Sequence, residues 1–172
     1  MSDGKIPAIA KFERVSDARF EADFADAFSG ADVAAAKAAV KLPTRATAGS
    51  AGYDFAVPCD LTLAPGETAK IPTGIRAKIA DGWVLCVFPR SGLGFKYRIQ
   101  LDNTVGIIDS DYYGSDNEGH IFIKITNDGK AGKTLSLKAG DGFAQGIFLP
   151  FGVTEDDEAT AKRNGGFGST SK

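Results

Sequence analysis

The stretch Gly74-Ile-Arg-Ala-Lys-Ile-Ala-Asp-Gly-Trp-Val-Leu-Cys-Val-Phe88 decides the fold class of this chain. Its first part alternates apolar and polar residues with a period of two, which is typical of a half-buried strand. Asp81-Gly82 is a strong hairpin signal. The run from Trp83 to Phe88 is apolar on both faces, so it must be covered on both. We therefore expect a core strand here, with a subunit contact as a further option.

Short runs of the same kind occupy the middle of the chain, separated by turns rich in Gly, Pro and Asp. Further strands are predicted at Tyr53–Val57, Asp60–Ala64, Thr68–Ile71, His120–Thr126, Lys133–Leu137 and Phe143–Leu149. This spacing favours an all-β jelly roll or β-sandwich over alternating βα units. We assign the β domain to residues 41–152.

The two flanking zones differ in composition from the β domain. Residues 1–40 are predicted to be helical, because Phe20, Phe24 and Phe28 recur every four residues and an Ala-rich run follows Asp32. Ser16 or Asp17 can cap the start of the first helix. Residues 153–172 are acidic and then Gly-rich, which predicts a flexible tail.

Charge and composition narrow the class of protein. The formal net charge is −2 and the pI about 5.4, so no global positive field would attract nucleic acid or an anionic membrane. No stretch has the length of a membrane span. Two cysteines without CxxC spacing and a single histidine predict reduced structural thiols rather than a metal site. We expect a cytoplasmic protein.

Four polar side chains are candidates for a functional site, because each lies at the end of a predicted strand or within an apolar strand. In Pro89-Arg-Ser-Gly-Leu-Gly94, Arg90 can aim a guanidinium at an anion beside a hydroxyl and backbone amides; the alternative is a polar turn. Asp109 follows an apolar run and can polarise a water; the alternative is a turn cap. Asp54 is a second carboxylate of this kind, or simply a polar strand residue. Gln145, inside an apolar strand, needs a partner if buried.

Taken together and in order, these clusters resemble the five motifs of the trimeric dUTP pyrophosphatase (dUTPase) family. The matching segments are Ala51–Phe55, Pro89–Leu93, Asn103–Tyr112, Gly140–Gln145 and Gly165–Thr170. Any one motif would be weak, whereas five in the right order are strong. The resemblance implies a jelly-roll subunit, a homotrimer with active sites between subunits, dUTP as substrate and Mg²⁺ as cofactor.

The resemblance also assigns roles to residues. Asp109 would orient the water that attacks the α-phosphorus, and Asp54 would hold waters of the Mg²⁺ ion. The phosphates would be bound by Arg90, Ser91, Gly92 and Gln145. A hairpin from Asn103 to Asp109 would recognise uracil through the Asn103 amide and the backbone of Gly106, Ile107 and Ile108, with Tyr112 beneath the deoxyribose. The tail residues Arg163, Phe167, Gly168, Ser169 and Thr170 would close over the substrate, with Phe167 stacked on the base.

Two departures from the family pattern leave alternatives open. Lys162 stands at the usual arginine position of the fifth motif, so either Lys162 or Arg163 would contact the γ-phosphate. Residues 113–119 lengthen the third motif. A related dCTP deaminase would need a glutamate between Asn103 and Tyr112, which has none; Glu118 lies nearby. A non-catalytic protein-binding relative, or an unknown regulatory partner for the N-terminal zone, is the remaining alternative.

Overall fold

A computed structural model of the protein describes residues 6–161, which fold mainly into β-strands. The strands are β1 Ala10–Arg14, β2 Thr44–Arg45, β3 Tyr53–Ala56, β4 Leu61–Leu63, β5 Thr68–Pro72, β6 Ile75–Ile79, β7 Trp83–Pro89, β8 Ile99–Leu101, β9 Gly106–Ile108, β10 Phe122–Asn127, β11 Leu135–Leu137 and β12 Gly142–Pro150. The helices are α1 Asp17–Ala27, α2 Val33–Ala39, α3 Ser91–Tyr97 and a 3₁₀ helix at Ser110–Gly114.

The strands form four antiparallel sheets around one core. The largest has the order β2-β3-β12-β7-β9, a second has the order β5-β10-β8, and the pairs β1-β6 and β11-β4 complete the set. Their inward faces bury side chains such as Phe55, Phe143, Ile71 and Ile125. The predicted all-β jelly-roll class is confirmed. Within the described residues, no helix is long and apolar enough to cross a membrane.

Strand β7 lies inside the largest sheet, between β12 and β9. Its central residues Leu85, Cys86 and Val87 are buried, as their uninterrupted apolar run predicts. The register on one side pairs Gln145 with Phe88. On the other side it pairs Ile108 with Leu85. Strand β7 therefore connects the segments that carry the candidate site residues.

The N-terminal zone is not wholly helical, which corrects the expectation for residues 1–40. Strand β1 pairs with the edge of β6, and this pairing rather than a strong local pattern makes it a strand. Helices α1 and α2 follow, and the side chains of Ser16 and Asp32 cap them. Phe20 and Phe24 pack into the core of the β domain. The zone is thus packed against its own chain.

Two local features around the motifs differ from the predictions. Residues after Arg90 form helix α3 instead of a turn; its Gly-rich sequence has low helix propensity, and packing of Leu93 and Tyr97 against the core stabilises it. Strands β8 and β9 belong to different sheets. The segment from Asn103 to Asp109 therefore consists of a short loop that joins two sheets and of the edge strand β9, and it is not a hairpin.

Candidate functional site

A small polar cleft of about 190 Å³ gathers residues from three of the predicted motifs. It is lined by Ala46, Ser50, Gly52, Asp54, Arg90, Ser91 and Gln145. Asp54 comes from β3, Arg90 directly precedes α3, and Gln145 lies on β12. Because β12 pairs with both β3 and β7, the sheet itself brings these distant segments together.

The charged groups of the cleft hold one another in place. Arg90 Nε lies 3.2 Å from Asp54 Oδ1, and both side chains are between a third and a half exposed. Arg90 Nη1 donates a hydrogen bond to the carbonyl oxygen of Gly142 at 3.1 Å. Gln145 Nε2 donates to the carbonyl oxygen of Pro89 at 3.2 Å, which is the partner that its position in an apolar strand required. A guanidinium, a carboxylate and an amide thus face one opening.

Two glycines, Gly52 in the cleft and Gly142 beside Arg90, have a role that the sequence analysis missed. A Cβ at Gly142 would stand 2.5 Å from Arg90 Nη1, and one at Gly52 would stand 2.7 Å from Gln145 Oε1. Real Cβ atoms do not approach so closely, so any larger residue would displace the polar group beside it. Both glycines lie in segments that match the family motifs, and this position in the sequence could have identified them as site residues.

The third motif lines a separate cavity of about 390 Å³. Asn103, Gly106 and Ile108 lie on its wall together with apolar residues such as Val87 and Ile121. The loop before β9 is tightly turned, with hydrogen bonds from Thr104 N to Leu101 O and from Val105 N to Asn103 O. Thr104 has φ of 65°, a left-handed conformation that is strained for a β-branched residue. Such strain is typical of binding loops.

The remaining residues of this motif occupy contrasting environments. Ile107 is 52% exposed, whereas Ile108 is buried. Tyr112 is 2% exposed, and its hydroxyl donates to the carbonyl oxygen of His120 at 2.7 Å. Asn117 Nδ2 donates to the same hydroxyl at 2.8 Å. Tyr112 is therefore fixed within the subunit, and its contact with a sugar stays a prediction.

One chain does not bring Asp109 to the polar cleft. Asp109 follows Ile108, which pairs with Leu85 near the start of β7. Arg90 follows the other end of the same strand. At the usual rise per residue of a strand, the two residues are on the order of 20 Å apart along β7. Neither side chain is long enough to close that gap.

The predicted tail residues lie outside the described residues. These are Lys162, Arg163, Phe167, Gly168, Ser169 and Thr170. Glu118, the glutamate nearest to the third motif, accepts hydrogen bonds from Ser16 N at 2.8 Å and Ser16 Oγ at 2.7 Å. These bonds hold the pKa of its carboxyl below the ordinary value. Glu118 is thus tied to the N-terminal segment.

The chemistry of the cleft fits a magnesium ion carried by a phosphate ligand. Among residues 6–161 there is no cluster of three or more His, Cys, Asp or Glu side chains that would hold a metal directly. Mg²⁺ usually keeps several waters and binds one or two carboxylates together with substrate phosphates. Asp54, in a polar cleft beside Arg90, supplies the one carboxylate that such a site requires.

Known proteins resemble this chain in both sequence and fold. The dUTPase family model matches residues 38–171. The deoxyuridine 5'-triphosphate nucleotidohydrolase of Lactococcus lactis subsp. lactis (strain IL1403) is 42% identical over 136 residues, which are 77% of this chain and 89% of the relative. The crystal structure of a dUTPase from Streptococcus mutans has a TM-score of 0.63 and 34% identity, covering 84% of this chain and 98% of that chain.

A more distant structure shares the fold. It is a mutant dUTPase from phage phi11 of S. aureus, described as revealing the coordination of a structural Mg(II) ion. Its TM-score is 0.58 and its identity 24%, over 72% of this chain and 92% of that chain.

Proposed function

The chain belongs to the dUTPase family, and from that membership we infer that it is a dUTP diphosphatase, which hydrolyses dUTP to dUMP and pyrophosphate. The substrate is a nucleoside triphosphate, so the protein must bind a base, a sugar and three phosphates. The polar cleft offers the Arg90 guanidinium to a phosphate, and the cavity beside Asn103 has apolar walls that suit a base.

The proposed arrangement of the site rests on one observation, which is the separation of Asp109 from Arg90 along β7. Both residues have to reach the same triphosphate, and one chain holds them too far apart. Sites shared between identical subunits solve this problem, because a rotation brings the Asp109 end of one copy to the Arg90 end of the next. This separation calls for more than one copy of the chain, and the resemblance to the trimeric dUTPases sets the number at three. We propose a homotrimer with each active site between subunits.

At the phosphates, catalysis rests on positioning and on neutralising charge. Arg90, Ser91, Gly92 and Gln145 bind the triphosphate through a guanidinium, a hydroxyl, backbone amides of the first turn of α3 and an amide. Asp109 of another subunit orients a water for in-line attack on the α-phosphorus and accepts its proton. Asp54 would hold Mg²⁺ through water, and the ion would supply further charge neutralisation when bound.

Base selection is assigned to the loop that contains Asn103. The Asn103 side chain and the backbone of Gly106, Ile107 and Ile108 form a narrow wall beside Val87, where Gly106 leaves only 3.2 Å between a would-be Cβ and that side chain. A wall with fixed donors and acceptors rejects the wrong base, because the buried polar groups of the protein would remain unpaired when that base is bound. Tyr112 would limit the space below the sugar. Arg163, Phe167, Gly168, Ser169 and Thr170 would close over the bound nucleotide.

The deaminase alternative has no support from the position of Glu118. That carboxylate accepts two hydrogen bonds from Ser16 and serves the start of α1. A glutamate engaged in this way is not placed to move protons on a base.

The direct test is hydrolysis of four nucleotides by the purified protein, with Asp109→Asn as the decisive variant. We expect pyrophosphate from dUTP and none from UTP, dCTP or dTTP, and a dependence on Mg²⁺. Loss of a positioned general base usually costs at least about a hundredfold, so Asp109→Asn should lower kcat by that factor or more. The control is Asp60→Asn, which removes an exposed carboxylate that pairs with Lys138. Ammonia release from dCTP, or full activity in Asp109→Asn, would contradict the proposal.

A further inference from the structure

We propose that strand β1 and the N-cap of α1 together position the active site, because Glu13 of the strand and Ser16 of the cap fasten the segment that follows Asp109. This inference rests on the proposed role of Asp109. It assigns a function to a zone of the chain that the five motifs do not include. The segment in question, residues 110–119, contains the 3₁₀ helix and the extension of the third motif; it is called here the post-Asp segment.

Asp109 is bonded to the start of the post-Asp segment. It is the residue that precedes the 3₁₀ helix Ser110–Gly114, and its carbonyl oxygen accepts a hydrogen bond from Tyr112 N at 3.2 Å. On the other side, Asp109 is joined to β9, a three-residue strand at the edge of the sheet. A short edge strand gives limited restraint, so the 3₁₀ helix contributes to the position of the carboxylate.

The first anchor of the post-Asp segment is the contact between Tyr113 and Glu13. The Tyr113 hydroxyl donates to Glu13 Oε2 at 2.5 Å, and this bond raises the pKa of Tyr113. Arg76 of β6 lies 3.4 Å from the same carboxylate oxygen and stacks its guanidinium 4.4 Å from the centre of the Tyr113 ring. Glu13 is on β1, so the N-terminal strand holds the 3₁₀ helix directly.

The second anchor is the contact between Glu118 and Ser16. The Glu118 carboxylate accepts hydrogen bonds from both the amide and the hydroxyl of Ser16, the residue that caps α1. Glu118 has φ of 60°, a left-handed conformation that a glutamate rarely adopts. A strained residue that makes two charge-assisted bonds indicates that the loop is fitted to the N-terminal segment.

Hydrogen bonds inside the post-Asp segment connect the two anchors. Ser115 Oγ lies 2.7 Å from both Tyr112 O and Asn117 Oδ1. Asn117 Nδ2 donates to the Tyr112 hydroxyl at 2.8 Å. Because of these bonds, the contacts made by Glu13 and by Ser16 restrain the same turn. A displacement of that turn would move Asp109, and misplacing a reacting group by about 1 Å can lower a rate by up to a hundredfold.

The test compares Glu13→Ala, Glu13→Gln and Tyr113→Phe in dUTP hydrolysis. We expect kcat to fall about tenfold in Glu13→Ala and Tyr113→Phe and KM to change far less, because the phosphate-binding groups around Arg90 are untouched while the Asp109 carboxylate is misplaced. Glu13→Gln keeps an oxygen that accepts from Tyr113, so it should recover most of the activity. The double variant Glu13→Ala/Tyr113→Phe should be no worse than either single one.

Two measurements separate positioning from general stability. Hydrogen exchange of residues 108–119 should become faster in Glu13→Ala, independently of activity. The matched control is Glu21→Ala on α1, whose carboxylate forms an ion pair with Lys37 of the neighbouring helix α2. Its kcat should equal that of the wild type. An active wild type whose Glu13 and Tyr113 variants keep full kcat would overturn this inference alone. A wild type that leaves dUTP intact would overturn the proposed function, and this inference with it.

Discussion

At the scale of single residues, Arg90 shows how the cleft depends on what surrounds a functional side chain. The guanidinium is oriented by the Asp54 carboxylate and by the carbonyl oxygen of Gly142. It lies where a side chain at Gly142 would otherwise stand. The guanidinium of one motif, which we propose to bind phosphate, is thus placed by residues of two other motifs.

A methyl group at Gly142 should therefore impair activity more than stability. In Gly142→Ala the new Cβ would overlap Arg90 Nη1 at 2.5 Å, and the flexible arginine would yield rather than the sheet. We expect kcat/KM for dUTP to fall at least about tenfold, as for loss of one charged contact to the transition state. The midpoint of thermal unfolding should change by only a few degrees.

The matched control for that variant is Gly49→Ala. No heavy atom lies within 4 Å of a Cβ at Gly49, so this methyl group should leave kcat/KM unchanged. Equal activities of Gly142→Ala and Gly49→Ala would show that Arg90 does not need this close approach.

At the scale of elements, helix α1 is attached to the β domain through the only histidine of the chain. His120 is fully buried between α1 and the sheet. Its Nε2 accepts a hydrogen bond from Gly74 N at 2.8 Å, so the proton is on Nδ1, which donates to Asp23 Oδ2 at 2.6 Å. Burial lowers the pKa of His120 despite the opposing effect of Asp23. The docking of α1 therefore requires a neutral imidazole.

The free energy of unfolding should fall as the pH drops below about 6.5, the ordinary pKa of histidine. In that range the unfolded chain takes up a proton that the folded chain does not, so the slope is positive and at most about 1.4 kcal/mol per pH unit. The loss should continue down to the lower pKa of folded His120. Urea unfolding at one fixed protein concentration between pH 7.5 and 5.5 measures it.

His120→Asn supplies the comparison for this pH dependence. The variant has no side chain whose ordinary pKa lies in this window, because ordinary carboxyl pKa values lie near 4. Its unfolding free energy should be nearly flat from pH 7.5 to 5.5. If the unfolding free energy depends on pH equally in both proteins, groups other than His120 cause the pH dependence.

At the scale of the whole molecule, one chain does not bring together all the residues of the proposed site. Asp109 and Arg90 stand toward opposite ends of β7. Large apolar side chains near both motifs are exposed, with Phe95 of α3 at 92% and Ile107 of β9 at 52%. Contact with other copies of the chain would cover such residues and complete the site.

Two inactive variants should restore activity when they share a trimer. In a mixed trimer of Asp109→Asn and Arg90→Ala chains, one of the three interfaces combines the intact Asp109 of one chain with the intact Arg90 of the other. Random reassembly of equal amounts should recover about a quarter of the wild-type kcat, given a cyclic arrangement of three sites. Unfolding the two proteins together, refolding them and assaying dUTP hydrolysis measures this.

Separately refolded variants, combined afterwards without exchange of subunits, are the control and should remain inactive. If the co-refolded sample also stays inactive while light scattering shows a trimer, each site uses Asp109 and Arg90 of the same chain. A protein that is monomeric at assay concentrations would contradict the shared site more directly.

The sequence by itself determined the fold class and the family, because these depend on local periodicity and on ordered motifs. Alternation around Ile75–Ile79, the hairpin signal at Asp81-Gly82 and the apolar run of β7 sufficed for an all-β fold. The caps at Ser16 and Asp32 were also readable, since a cap depends on residues within one turn.

Only the tertiary structure decided which of these residues meet. Strand β1 exists because β6 offers it an edge, and α3 forms in a Gly-rich segment because it packs on the core. The pairing of β12 with β3 and β7 places Asp54, Arg90 and Gln145 around one cleft and keeps Asp109 away from it. Contacts between residues about a hundred positions apart, such as Glu13 with Tyr113, depend on the register of whole sheets. No local pattern encodes them, because the free energy that selects them comes from burial across the entire core.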